Sequence, residues 1–384
     1  MAINKLILLG GHIQALGLAR QACKYDVPVY VCLKDAYSVA MYSNSVKEFF
    51  IIDNDDKLED KILSLADENT LLFPTSDDYI DFIVERYDNF STKMQIGLPS
   101  LDIINTFNNK RNAYEYIQSL GIHQPISYCP NSFEDVLKLA DTIEYPIVVK
   151  PAIMHSFHKQ FGKKAYLCLD KDSLIEKVKF IYENKYPINQ LILQEYLSGG
   201  AKTLYSYGVY AENGEPQAWI MANRIRQNPM DFGNSTTFAI SCQILEIEES
   251  ARKILSATKY TGLAEIEFMF DEKNRVYKFL EINTRAWKWH SISEAFGWGF
   301  MSELILNRND LKREFVDSNI NRAWVERLTD FAVLLKELLK RRMKLKEVFR
   351  TYRISKTNAV WSIKDIKPAI MYLILSPILF IKRH

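Results

Sequence analysis

The sequence predicts an α/β protein in two parts: a parallel-sheet unit at the start, then an α+β unit rich in antiparallel hairpins, closed by a basic helical extension. Three observations carry this. Residues 3–33 run strand, glycine turn, helix, strand; the middle third holds two hairpin signals; and charge is split along the chain. At 384 residues, 48% hydrophobic and 25% charged, the chain has material for two or three packed globular units.

The first unit opens with the apolar run Ile3–Leu9, broken at Gly10-Gly11. Leu16, Ala19 and Ala22 then keep helical spacing, and Val27–Leu33 is a β-branched strand. Phe49–Ile52 and Thr70–Phe73 continue the alternation around a helix at Asp60–Ala66. A dinucleotide fingerprint is missing, because His12 and Ala15 interrupt GxGxxG, so Gly10-Gly11 reads as a structural turn. Ser76-Asp77-Asp78 reads as a cap for the helix that follows.

From Asn108 the pattern changes. Lys110 opens a helix that Gly121 closes, and Pro146–Pro151 is a buried-type strand with Lys150 near its end. A polar loop Ala152–Lys164 follows, holding His155 and His158, whose spacing is better explained by loop polarity than by a metal. Leu191–Gln194 is a strand, Asn213-Gly214 marks a hairpin, and Ala264–Phe270 pairs with Val276–Ile282 in a second hairpin.

Five scattered cysteines without CxxC spacing argue against a disulfide framework or zinc site, and the early apolar run is too short for a signal peptide. Residues 336–384 hold 13 Lys/Arg against 3 Asp/Glu, a tail of about +10 after a body of about −8. Leu334, Leu335, Leu338 and Leu339 form an apolar face near Lys340–Arg342, and Ala369–Ile381 is apolar before Lys382-Arg383. Its 13 residues fall short of the roughly 20 a bilayer-spanning helix needs. Two readings stand: a core helix packed on the second unit, or a monotopic membrane-surface anchor. No nucleic-acid motif is present, so no nucleic-acid partner is expected.

Chemistry concentrates in the middle third. Lys110 and Lys150 can meet phosphate oxygens as point charges, and the strand end Glu195–Leu197 offers backbone groups suited to an adenine edge. Strand alternation puts Glu281 and Asn283 on one side of their strand. With Glu267 on the neighbouring strand they form an oxygen cluster suited to Mg²⁺. Arg285 extends that face.

Asn109-Lys110, Pro146–Pro151, Gln194–Leu197, Arg224–Gln227, Glu265–Phe268 and Leu280–Arg285, in that order, give roughly residues 5–300 a pattern that resembles the ATP-grasp superfamily. The D-aspartate-ligase-like carboxylate–amine ligases are the most similar branch. The resemblance implies a pre-ATP-grasp domain over 1–106, an ATP-grasp domain over 107–310 with a flexible lid at about 125–197, and the extension over 311–384. It implies ATP phosphates on Lys110, Lys150 and Lys164, adenine at Gln194, Glu195 and Leu197, and Mg²⁺ (or Mn²⁺) on Glu267, Glu281 and Asn283. Arg224, Arg226 and Arg285 would be catalytic, facing the acyl phosphate or substrate carboxylate, and 152–164 would be a mobile flap. Ala201-Lys202 stand where the family often has a ribose-binding acid.

The expected reaction joins a small carboxylate, activated as an acyl phosphate, to an amine, with an amino acid as one partner. A cytoplasmic protein, peripheral at the inner face of the membrane and acting on a lipid-linked envelope precursor, fits the tail. The alternatives are a non-catalytic nucleotide-binding module at a membrane and an NAD(P)-dependent oxidoreductase, which leaves Lys150 and the Glu267/Glu281/Asn283 set without a role.

Overall fold

The computed structural model describes residues 3–231, 233, 235–306, 321–354 and 356–382, without the side chains of 154–156, 306 and 379–382. A parallel sheet forms first, from strands β1 (Lys5–Leu9), β2 (Val29–Leu33), β3 (Glu48–Ile51), β4 (Thr70–Pro74) and β5 (Gln95–Ile96). Their order is β3-β2-β1-β4-β5. The runs of β1 and β4 are buried because helices cover both faces: α1 (Ile13–Cys23), α2 (Asp55–Leu65), α3 (Asp77–Glu85) and α4 (Tyr87–Ser91). The strand order reverses direction between β1 and β4, which opens a crevice at their C-terminal ends. Gly10, at the end of β1, has φ +93° and leaves a Cβ only 2.5 Å from Thr75 Oγ1, so the turn is built for tightness.

Helices α5 (Leu101–Asn108) and α6 (Lys110–Ser119) lead into a small sheet of β6 (Ser127–Tyr128), β7 (Ile147–Pro151), β8 (Tyr166–Cys168) and β9 (Leu191–Glu195), ordered β6-β9-β7-β8. It packs on α7 (Phe133–Ala140), α8 (Met154–Phe161) and α9 (Lys171–Glu183). The polar-loop reading of 152–164 is corrected here. Phe157 and Phe161, one turn apart, bury an aromatic edge against Tyr186, and Gly162 ends the turn left-handed, its N–H donating to the His158 carbonyl.

The large sheet has the order β14-β13-β10-β11-β12-β15-β16. Its strands are β10 (Leu204–Glu212), β11 (Glu215–Asn228), β12 (Ser235–Ser241), β13 (Gly262–Asp271), β14 (Val276–Asn283), β15 (Ala323–Val325) and β16 (Lys356–Asn358). Asn213 and Gly214, both at positive φ, close the β10–β11 hairpin as their residue types dictate. Helix α10 (Leu245–Thr258) lies on one face and α11 (Phe300–Leu306) follows the last aromatic segment.

The C-terminal segment departs from the helical extension expected for it. Beside α12 (Arg327–Leu339), α13 (Leu345–Tyr352) and α14 (Lys367–Lys382), it adds β15 and β16 to the large sheet. The expected boundary at 310/311 falls within 307–320, outside the described residues. Ala369 and Tyr372 of α14 share a core with Val39 and Ala40 of the first unit, and Asp365 takes Arg20 Nε at 2.9 Å and Ser43 Oγ at 2.6 Å. The packing partner of this helix is therefore the parallel-sheet unit, where the second unit was expected. No described helix is long and apolar enough to cross a membrane.

Candidate active site

The small sheet, the large sheet and helices α1 and α3 of the first unit border one cleft of about 550 Å³, the size of a small-molecule site. Every residue expected to meet nucleotide, metal or substrate except Arg226 lines it. Register explains the floor. On β13 and β14, Glu267 stands opposite Glu281 and Glu265 opposite Asn283, so alternation puts four polar side chains on one face. Glu265 was within reach of the same alternation and is a third carboxylate of the set. Its Oε1 accepts from Trp289 Nε1 at 2.8 Å, which places Trp289 at the cleft wall.

Cations interleave with these acids. Lys110, at the start of α6, meets Glu281, and Arg224 Nη1 lies 2.6 Å from Glu267 Oε1. Asn283 Nδ2 donates to Glu265 and Glu267, both at 3.2 Å. Burial raises the Glu267 carboxyl to about 8; Arg224 opposes this, while Glu265 and Glu281 add to it. Glu281 goes the other way, to about 2, held down chiefly by the Lys110 charge. Burial alone would lower the Lys110 and Arg224 values, but the surrounding carboxylates outweigh it and raise both. Lys164 goes the other way: burial lowers it, Glu281 and Glu267 oppose that, and the Arg224 and Lys110 charges add to it.

The oxygen-only set fits a hard divalent cation. Asn283, whose amide donates to Glu265 and Glu267, would turn to present its carbonyl to such an ion. Among the described residues no three His, Cys, Asp or Glu side chains form a ready-made cage. An ion here would complete its shell from water and phosphate, as Mg²⁺ characteristically does.

Tyr114, which the sequence did not single out, and Asp77, read there as part of a cap, shape the walls. Tyr114 accepts a hydrogen bond from Lys150 Nζ at 2.7 Å and donates its O–H to the Leu280 carbonyl at 2.8 Å, which fixes the lysine over the cleft. On α3, Asp77 grips Arg285 with two bonds, 2.6 and 3.0 Å. The capping role expected of this stretch is corrected: Ser76 holds the cap position without a side-chain bond, and Asp77, Asp78 and Asp81 line the cleft. Helix periodicity alone could not tell which face of α3 meets another unit.

At the strand end, Gln194 donates to Ser127 Oγ at 2.8 Å and Glu195 is locked by Lys278 at 2.7 Å. The Glu195 N–H is taken by the Ile126 carbonyl, so this residue can offer a base edge its carbonyl but not its amide. Leu197 is buried beside it. His158 is exposed, and the His155 side chain lies outside the described residues.

Arg226 is the exception, and the cause is a bulge. Two residues from Arg224 it should face the same way, but the β11–β12 register slips between Asn223 and Arg226 and again before Gln227. Arg224 enters the cleft; Arg226 enters the opposite layer. There Nε and Nη2 fork onto Asp330 of α12 at 2.7 and 2.8 Å, Nη1 reaches Thr351 of α13 at 3.2 Å, and the guanidinium lies 4.1 Å from the Phe238 ring centre. The structure does not bring it to the chemistry expected of it.

With this geometry established, comparison with known proteins is informative. Residues 109–301 match the family model described as carbamoyl-phosphate synthase L chain, ATP binding domain. The chain is 23% identical over 297 residues to the D-aspartate ligase of Enterococcus faecium (strain Aus0004), covering 73% of this chain and 70% of that one. It is 23% identical over 321 residues to biotin carboxylase 1 of Bacillus subtilis (strain 168), covering 76% and 67%. Among solved structures, the biotin carboxylase domain of Hydrogenobacter thermophilus 2-oxoglutarate carboxylase, crystallised with MgADP, ADP and bicarbonate, superposes with a TM-score of 0.66 at 17% identity, over 84% of this chain and 74% of that. That likeness speaks for the fold.

Proposed function

The chain belongs to the carbamoyl-phosphate synthase L chain ATP-binding family, an ATP-grasp family, and on that premise we propose that it is an ATP- and Mg²⁺-dependent ligase that joins a small carboxylate to an amine through an acyl phosphate. One observation carries the reading: lysines from the small sheet and α6, acids from β13–β14 and arginines from two further segments converge on one cleft.

Lys110, Lys150 and Lys164 bind and orient the ATP phosphates, with Tyr114 holding Lys150 in place. Glu195 and Leu197 present backbone to the adenine, beside Gln194. Glu267, Glu281 and Asn283 would hold Mg²⁺, which supplies Lewis-acid polarisation of phosphoryl oxygens. A carboxylate oxygen of the substrate attacks the γ-phosphorus as the bond to ADP breaks. Arg224 and Arg285 lie on the cleft walls where the transferring charge spreads. The amine nitrogen then attacks the acyl carbon, the carbon–oxygen bond to phosphate breaks, and the amine proton leaves to solvent. Similarity to a D-aspartate ligase supports an amino acid as one substrate.

The test is Mg²⁺-dependent ADP release across a panel of amino acids and carboxylates, with hydroxylamine added to trap an acyl phosphate as a hydroxamate. ADP that appears only with an acid present, together with a hydroxamate, is expected. Tight ATP binding with no turnover across the panel would leave a non-catalytic nucleotide-binding module.

A further inference from the structure

Helix α14 is apolar on both sides. One side, through Ala369, Tyr372 and Leu375, is buried, and the first two share a core with the parallel-sheet unit. The other consists of Ile370, Leu373, Ile374 and Ile378, each 42–60% exposed, with Pro377 exposed among them. A surface helix normally turns polar residues to water, so a solvent face made of isoleucine and leucine marks a place where something other than water lies. The same inversion recurs nearby. Phe331, Leu335 and Leu339 stand one turn apart on the exposed side of α12, as do Leu345 and Phe349 on α13.

These helices form one assembly. Arg226 bonds Asp330 of α12 and Thr351 of α13, and Thr329 of α12 meets Tyr372 of α14 at 3.4 Å. The segment that carries these faces is strongly basic in sequence: 13 Lys/Arg against 3 Asp/Glu over 336–384. Each of those acids has a basic partner: Asp365 is buried against Arg20, Glu347 pairs with Lys202 at the surface, and Glu337 lies 4.0 Å from Arg342. Lys364 and Lys367 are exposed at the start of α14.

We propose that the exposed apolar faces of α12, α13 and α14, with the basic residues around them, dock the protein on an anionic lipid surface. Apolar side chains at acyl depth with lysine and arginine at headgroup level is the pattern of an interfacial helix. The surface cannot be a span. The 16 residues of α14 reach about 24 Å against a hydrocarbon layer of about 30 Å, and its inner side is held in the core. It also adjoins the cleft: Arg342 pairs with Asp231 at 2.6 Å, and Asp231 lines the cleft. A docked protein therefore holds its cleft beside the bilayer, within reach of a substrate carried on a lipid. The docking itself does not depend on which reaction the cleft performs.

The experiment is flotation of the full chain, without ATP or substrates, on vesicles of phosphatidylcholine alone and of phosphatidylcholine with phosphatidylglycerol. Binding to the anionic vesicles only, weakening as salt rises, is expected. The triple change Ile370→Ser, Ile374→Ser, Ile378→Ser should weaken it more than about tenfold. Lys364→Glu with Lys367→Glu should do so by about tenfold or more, and guards against misfolding of the first variant. No vesicle binding, or wild-type binding by both variants, overturns the proposal. So does a solution dimer that the triple change converts to monomer, since the face would then be a self-interface.

Discussion

Arg224 and Arg226 sit two residues apart on one strand, and each is almost fully buried against a carboxylate. Their settings differ in kind. Arg224 faces Glu267 in a cleft with surplus acid, where Glu265 and Glu281 also raise its value, so its partner is contested. Arg226 has a single carboxylate, Asp330, gripped by both arms, with Thr351 and the Phe238 ring completing the shell. A contested pair can give up its carboxylate to an incoming cation or meet an incoming anion. A fully satisfied pair can only hold elements together.

The sharpest way to break this contrast is on the cleft side. Glu281→Ala should lower ADP release at least about a thousandfold while leaving the fold intact, and Arg224→Met should lower it about a hundredfold. Steady-state coupled assays beside thermal melts decide, and full activity in the Glu281 variant would sink the metal assignment. Next in size is Arg226→Met, which strands Asp330 and should cost about 3–5 kcal/mol of stability. Its turnover per folded molecule should stay near wild type; a normal melt with lost turnover would put Arg226 back among the catalytic groups. Replacing both partners, Arg226→Met with Asp330→Leu, should regain most of that stability in urea titrations, because no charge is left buried alone.

The smallest effect concerns a group that belongs to neither pair. Burial holds His290 neutral and lowers its pKa to about 4, and its Nε2 lies 3.2 Å from the Gln14 carbonyl. A depressed histidine favours the fold above its unfolded value of 6.5 and loses that contribution as pH falls toward 4. Urea midpoints should therefore decline across that window, by at most about 1.4 kcal/mol per pH unit. His290→Gln should flatten the decline, and an unchanged slope would remove this group from the account.

Much of the cleft is legible in the chain because strand alternation is a local rule. Once β13 and β14 are seen to pair, Glu265, Glu267, Glu281 and Asn283 must share a face. The Asn213-Gly214 turn is equally local, since few other residues accept positive φ in succession. Arg226 shows where this reasoning stops. The family resemblance assigned it to the cleft beside Arg224, and the register slip against β12 turned it away, a feature that exists only once two strands are paired. Tyr114, and the role of Asp77 beyond a cap, were hidden for a related reason: each serves a residue far along the chain, Lys150 and Arg285.

By itself, then, the sequence determined most element types, the parallel start, the hairpin-built middle and the shared face of β13 and β14. Hydrophobic period and turn chemistry act over a few residues, and a single chain displays them directly. The tertiary structure decided which faces met: that the tail would add β15 and β16 to the large sheet, that Asp330 would claim Arg226, and that α14 would bury one apolar side and leave the other outward. Those outcomes depend on long-range pairing, where burial is set by whichever surface arrives, and no local period encodes that.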